Sequence, residues 1–268
     1  MIRTAVTVWA FLKRDFLSEV SYRLSFLLQV FGLVLSVAAF YFLTKMIDPA
    51  TEGLDGIPPF EWLLMGVSFQ AYFSTALYAF SARIRDEQVL GTLEAMLVSS
   101  APTSVVIFAS AAWDFTYGGI RVVLYLAIAW LLFDYTLYAS GLAPLLVGIL
   151  LTMAWSVGIG ILSAAFILYF KRGNPINMLL SGMSLFFGNV FFPSAQLPDW
   201  IEPVAAWVPV TWSLNVVRGA LLKGEGFEEL AGDLTRLAVL AAVLLPAGLF
   251  LARIAVRRAK REGSLVQY

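Results

Sequence analysis

Between Arg23 and Lys45 the chain runs 21 residues, Leu24 to Thr44, without a charge. As a helix rising 1.5 Å per residue that stretch reaches about 30 Å, the thickness of a bilayer's hydrocarbon layer. Glu61 and Arg83 bracket a second run of 21, Trp62 to Ala82, and Tyr135 to Phe170 is an uncharged run of 36. Backbone N–H and C=O groups have no water to bond in lipid, so a chain built from such runs is expected to span the membrane as helices. The whole sequence of 268 residues is 60% apolar and 13% charged, far from the quarter-charged usage of soluble domains. Its 18 basic and 18 acidic residues cancel, so no overall field favours nucleic acid. With no cysteine and no histidine, a disulfide framework, a thiol nucleophile, a Ser-His-Asp triad and an HExxH zinc site are all excluded.

The expected fold is an all-α membrane protein of six transmembrane helices. The first two are the 21-residue runs. The third is read as Phe115 to Phe133, preceded by an interfacial stretch from Pro102. The fourth is one long helix of about 27 residues, with Gly141 and Pro144 suiting its start, and Lys171 and Arg172 close it. Asn174 is placed to cap a fifth, Pro175 fits its first position, and the span runs to about Phe192. Pro193, Pro198, Pro203 and Pro209 then fall within 17 residues, among Trp200, Trp207 and Trp212, which predicts a broken, re-entrant outer segment over about 191–232. Leu234 to Ala252 is the last span. Residues 1–22 carry Ile2, Trp9, Leu12 and Phe16 on one helical face and Arg3, Lys13 and Arg14 on the other, the pattern of an amphipathic helix in the interface rather than a cleaved signal. Residues 23–268 then form a single six-span membrane domain with no evident internal repeat.

Six spans put both termini on one side. That side holds 13 of the Lys and Arg residues, the other holds four (Lys45, Arg218, Lys223, Arg236), and Arg121 is unassigned. The positive-inside rule therefore predicts cytoplasmic termini.

The loop joining spans two and three, about 83–101, contains Arg83, Arg85, Asp86 and Glu87, then Gly91-Thr92-Leu93-Glu94. By spacing alone it is a solvated helix. The order Glu87, Gly91-Thr92-Leu93-Glu94 and Pro102 resembles the coupling-helix region of the membrane subunits of ABC-type exporters, of the second exporter family. A separate stretch, Phe191-Phe192-Pro193 through Leu197-Pro198, Pro209-Val210-Thr211 and Arg218 to Gly224, is similar to that family's outer segment. The resemblance follows the whole chain in span order. It implies a cytoplasmic coupling helix made by the 83–101 loop and an export permease for amphipathic, lipid-like or glycolipid cargo. It also implies a likeness-based partner set: a separate nucleotide-binding ABC ATPase in two copies, carrying ATP and Mg, and a second copy of this chain as a homodimer. None of the five lysines follows a GxxxxGK[ST] loop, so the chain itself offers no phosphate cradle.

Aromatic and amide residues of spans two and five (Phe69, Gln70, Phe73, Phe186, Phe187, Asn189) suit either a path for an amphiphile or ordinary helix packing, and the resemblance implies the path. Phe191, Phe192, Pro193, Pro198, Pro209 and Arg218 form either an outer gate or a mere connection. Asp114 and Arg121, seven apart and on nearly one helical face, line an inner vestibule or sit at the headgroups. An ion-coupled carrier would place carboxylates near the midplane, where this chain offers only Asp114, and an intramembrane enzyme has no catalytic set to draw on.

Overall fold

The computed structural model describes residues 2–48, 54–89, 103–133, 137–170 and 175–262. Among them the chain is helical, without strands: α1 (Ile2–Ser21), α2 (Arg23–Thr44), α3 (Pro59–Val89), α4 (Thr103–Phe133), α5 (Leu142–Phe170), α6 (Pro175–Phe187), α7 (Glu202–Ala206), α8 (Pro209–Arg218) and α9 (Phe227–Glu262). Five of these, α2, α3, α4, α5 and α9, contain stretches long and apolar enough to cross a membrane.

The fifth expected crossing is shorter than its sequence suggested. Pro175 does open α6, but the helix has 13 residues, about 20 Å, two-thirds of the hydrocarbon thickness. It stops at Phe187 because the chain turns: Asn189 takes a left-handed conformation with φ of 60°, which asparagine tolerates better than most residues, and its Oδ1 accepts the Ser194 N–H at 3.1 Å. From there to Gly224 the chain is broken into a 3-10 turn (Ser194–Gln196), α7, α8 and a π turn (Gly219–Lys223). The stretch from Thr103 that precedes span three is continuous with it in α4, whose apolar window, Ala111–Phe133, begins four residues before the expected start at Phe115.

α3 is the centre of the bundle. Its apolar window has the lowest mean hydropathy of the five, 1.2, yet 72% of that window is buried, against 11% for α2 and 17% for α4 and α9. The two facts belong together: a helix sheathed by protein can carry Ser68, Gln70 and Ser81, all buried, whereas a lipid-facing one bears the transfer cost of each polar group. α4, α5, α6 and α8 pack around it, and α9 lies along α5 in the most extensive helix pairing. Glycines set how close that pairing is. A Cβ at Gly158 would stand 2.6 Å from the Leu244 carbonyl carbon, and one at Gly248 would stand 2.5 Å from the Gly158 oxygen. The two backbones touch, the small-residue contact by which membrane helices gain dispersion energy without a hydrophobic drive. α1 lies against α4, with Phe16 edge-on to Trp113 at 5.8 Å and Trp9 exposed.

Candidate functional site

α6 is too short to hold itself across a bilayer, and polar contacts fix it antiparallel to α3. Asn177 Nδ2 donates to the Leu77 carbonyl at 2.6 Å and to Ser81 Oγ at 3.2 Å. One turn on, Ser181 and Ser74 share a hydrogen bond at 3.4 Å, and Ser74 also accepts from Gln70 Nε2. Asn177, Ser181 and Ser184 follow at intervals of four and three, so they share one face of α6, and its first two residues meet Leu77, Ser81 and Ser74 of α3.

At the other end of this seam stands Arg218, 4% exposed. Its Nη1 donates to the Asn189 carbonyl at 2.7 Å and its Nη2 to the Trp62 carbonyl at 2.9 Å. The guanidinium lies 3.7 Å over the Trp62 ring, a cation–π contact that strengthens when desolvated. Gly66 makes room for it, because a Cβ there would collide with the Val190 carbonyl and lie 2.6 Å from Nη2. One side chain of α8 therefore ties the first turns of α3 to the chain leaving α6. The rest of α8 is anchored as well: Thr152 Oγ1 of α5 donates to Ser213 Oγ at 2.9 Å, Trp212 Nε1 to the Ala206 carbonyl at 2.9 Å, and Asn215 Nδ2 to Asp233 of α9 at 3.1 Å.

Beneath this segment a cleft of about 560 Å³ opens between α3, α5, α6, α7 and the start of α8. Phe73 of α3 and Trp155 of α5 meet with ring centroids 5.0 Å apart and planes tilted by 40°, and form its floor with Ile159. Leu180, Met183 and Ser184 of α6 make one wall, and Pro203, Val204, Trp207, Val208 and Pro209 the opposite one. Ser184 brings its one hydroxyl. The Trp155 indole N–H is buried without an acceptor among the described residues.

The path residues expected from the sequence do not share one surface. Phe69, Gln70 and Phe73 are buried inside the protomer, Phe187 packs half-buried against the core, and Asn189 forms the turn. Phe186 points away from them, 61% exposed, on the face of α6 that also carries Met178 and Leu179. Of the six only Phe73 meets the cleft. Trp155 and Ile159 went unnoticed because span four is apolar on every side, and no period marks an inward face. In the outer group, Phe191 and Phe192 are exposed neighbours, Pro193 is buried, Pro198 is exposed, and Pro209 opens α8. Arg83, Arg85, Asp86 and Glu87 belong to the last turns of α3, with their side chains outside the described residues, and Gly91, Thr92 and Glu94 lie wholly outside them. Asp114 and Arg121 are both half-buried on α4; Tyr117 between them donates to Gln29 Oε1 of α2.

A helical bundle with five bilayer-length apolar helices, one short helix pinned by polar contacts and a folded segment closing one end defines a multi-pass membrane protein of transport type. The chain matches the family model of the ABC-2 type transporter over residues 6–222, most of its length, and belongs to that family as an export-permease subunit of ABC transporters. Membership implies association with an ABC ATPase. No curated protein matches the chain.

Proposed function

We propose that the chain is the membrane half of an ATP-driven exporter for amphipathic, lipid-like or lipid-linked cargo, working as two copies with two ATPase subunits that bind ATP and Mg. The observation that carries this reading is the family match over residues 6–222. The termini face the cytoplasm of a prokaryote, and the 83–101 loop, with Arg83, Arg85, Asp86, Glu87, Gly91, Thr92 and Glu94, docks on the ATPase as a coupling helix. The second copy meets the unpartnered face of α6. Met178, Leu179 and Phe186 are exposed there, and a Cβ on Gly182 would meet nothing, which supports close, symmetric approach of two α6 helices. The cargo path runs between the copies. Phe186 stands at its surface, and Phe69, Gln70, Phe73, Phe187 and Asn189 lie behind, uncovered when α6 separates from α3. Phe191, Phe192, Pro193, Pro198 and Pro209 close its outer end, and Arg218 holds the closed arrangement.

Co-expression with an ABC ATPase followed by reconstitution tests the assignment. The expected results are co-purification, ATP turnover by the complex and ATP-dependent movement of a fluorescent phospholipid between leaflets. A permease that binds no ABC ATPase would end it. A cysteine at Gly182, in a chain that has none, should cross-link two copies under mild oxidation; monomer alone would refute the two-copy arrangement.

A further inference from the structure

We propose that the cleft beneath the outer segment binds one long hydrocarbon chain of an amphiphile, inside each protomer and behind the path between copies. Ten of its eleven lining residues are apolar or aromatic and none is charged. A water molecule needs two to four polar partners to settle in a cavity, and a wall with one hydroxyl does not supply them. The volume of about 560 Å³ falls among ligand pockets rather than packing defects, and an empty space of that size forfeits the dispersion contacts of every side chain around it. The cleft is also deep rather than a groove between lipid-facing ridges. Its mouth carries Trp207 at 77% and Val204 at 46% exposure, while its floor, Phe73 and Trp155, is at 1%.

A membrane protein is solvated by hydrocarbon, so the substance at hand with the right chemistry is an acyl or prenyl chain. Trp207 at the mouth has the apolar body and polar edge that settle where chain meets headgroup. The chain has two conceivable owners, the exported cargo or a resident phospholipid, and the binding chemistry is common to both. Only the choice between them rests on the exporter reading.

The probe is a phosphatidylcholine with a photoreactive diazirine on its acyl chain, present in trace amount in nanodiscs holding the full-length protein. Cross-links mapped by mass spectrometry are expected on Leu180, Met183 and Val204. They should saturate, yield to excess unlabelled phospholipid, and exceed labelling of lipid-facing Phe250 on α9 about tenfold, the ratio of a modest site over bulk solvent. Ser184→Phe fills the cleft from α6 and should abolish that excess while leaving Phe250 labelling unchanged. Where this variant does not fold, Val204→Trp fills the space from the opposite wall. With the cognate ATPase present, labelling that falls during ATP turnover assigns the chain to cargo, and labelling that persists assigns it to a resident lipid. Cleft labelling no greater than at Phe250, or indifferent to both filling variants, overturns the site. Recovery of the ATPase with the permease is scored in the same samples, so failure of the cleft and failure of the exporter reading leave different marks.

Discussion

Replacing Arg218 by lysine keeps the charge and removes the fork. The guanidinium bonds two carbonyls, Asn189 at 2.7 Å and Trp62 at 2.9 Å, and covers the Trp62 ring at 3.7 Å. Hydrogen bonds from a charged donor are worth about 1.5–3 kcal/mol each, and a desolvated cation–π contact about 2 kcal/mol. An ammonium can retain one carbonyl but does not reach both while lying flat on an indole, so the expected loss is about 2–4 kcal/mol, one bond and part of the stacking. The assay is unfolding in mixed micelles with graded denaturing detergent, followed by tryptophan fluorescence. Gly66→Ala presses on the same node, since its Cβ would stand 2.6 Å from Nη2, so the double variant should be non-additive by more than about 0.5 kcal/mol. A lysine variant within about 0.5 kcal/mol of the parent, or an additive cycle, would refute the idea that Arg218 holds α3, α6 and α8 together.

Gly158→Val drives a side chain into the Leu244 backbone and should cost about 1–3 kcal/mol or more in the same assay, whereas Gly119→Ala, which meets open space, should stay within about 0.5 kcal/mol. A single cysteine at Thr51 should react with a membrane-impermeant maleimide on intact cells and one at Gly91 only after permeabilisation; the reverse pattern would invert the orientation. Glu94→Lys should weaken ATPase assembly by about 2–5 kcal/mol if its carboxylate is buried at the docking face and by less than about 1 if exposed. Wild-type complex yield together with wild-type turnover would leave the 83–101 loop as a solvated helix.

The sequence made the apolar crossings legible because charge or glycine bounds the uncharged runs, although α3 and α9 run on past the charges at their inner ends. α2 begins at Arg23 where the uncharged run begins, and α5 starts at Leu142, directly after Gly141. It misled where hydropathy was taken for helix length. In α4 the crossing and the helix are different lengths: the apolar window Ala111–Phe133 lies close to the expected Phe115–Phe133, while the helix runs on through Asp114 to Thr103. The Gly188-Asn189 pair that ends α6 is a recognisable helix stop, and it lay unread inside an apolar run. Arg218 was visible as a residue but not as a bond, since its partners Trp62 and Asn189 are backbone carbonyls and carry no side-chain signature. The cleft was invisible for a related reason: its floor pairs Phe73 with Trp155, two aromatics in helices whose apolar residues show no preferred face.

The low hydropathy and deep burial of α3 have a consequence for how the protein is made. The Arg218 bond to Trp62 joins residues 156 apart. At a synthesis rate of about 5–20 residues per second, α3 emerges roughly 8–30 s before its last partner exists. During that interval Ser68, Gln70 and Ser81 have neither α6 nor α8 over them, so the nascent helix meets lipid with its polar side bare or is kept at the insertion machinery until the second half arrives. Ribosome-bound chains truncated before residue 175 should therefore remain associated with that machinery, and the released fragment should be a substrate for membrane proteolysis, while the full chain withdraws α3 from both as soon as Arg218 is in place.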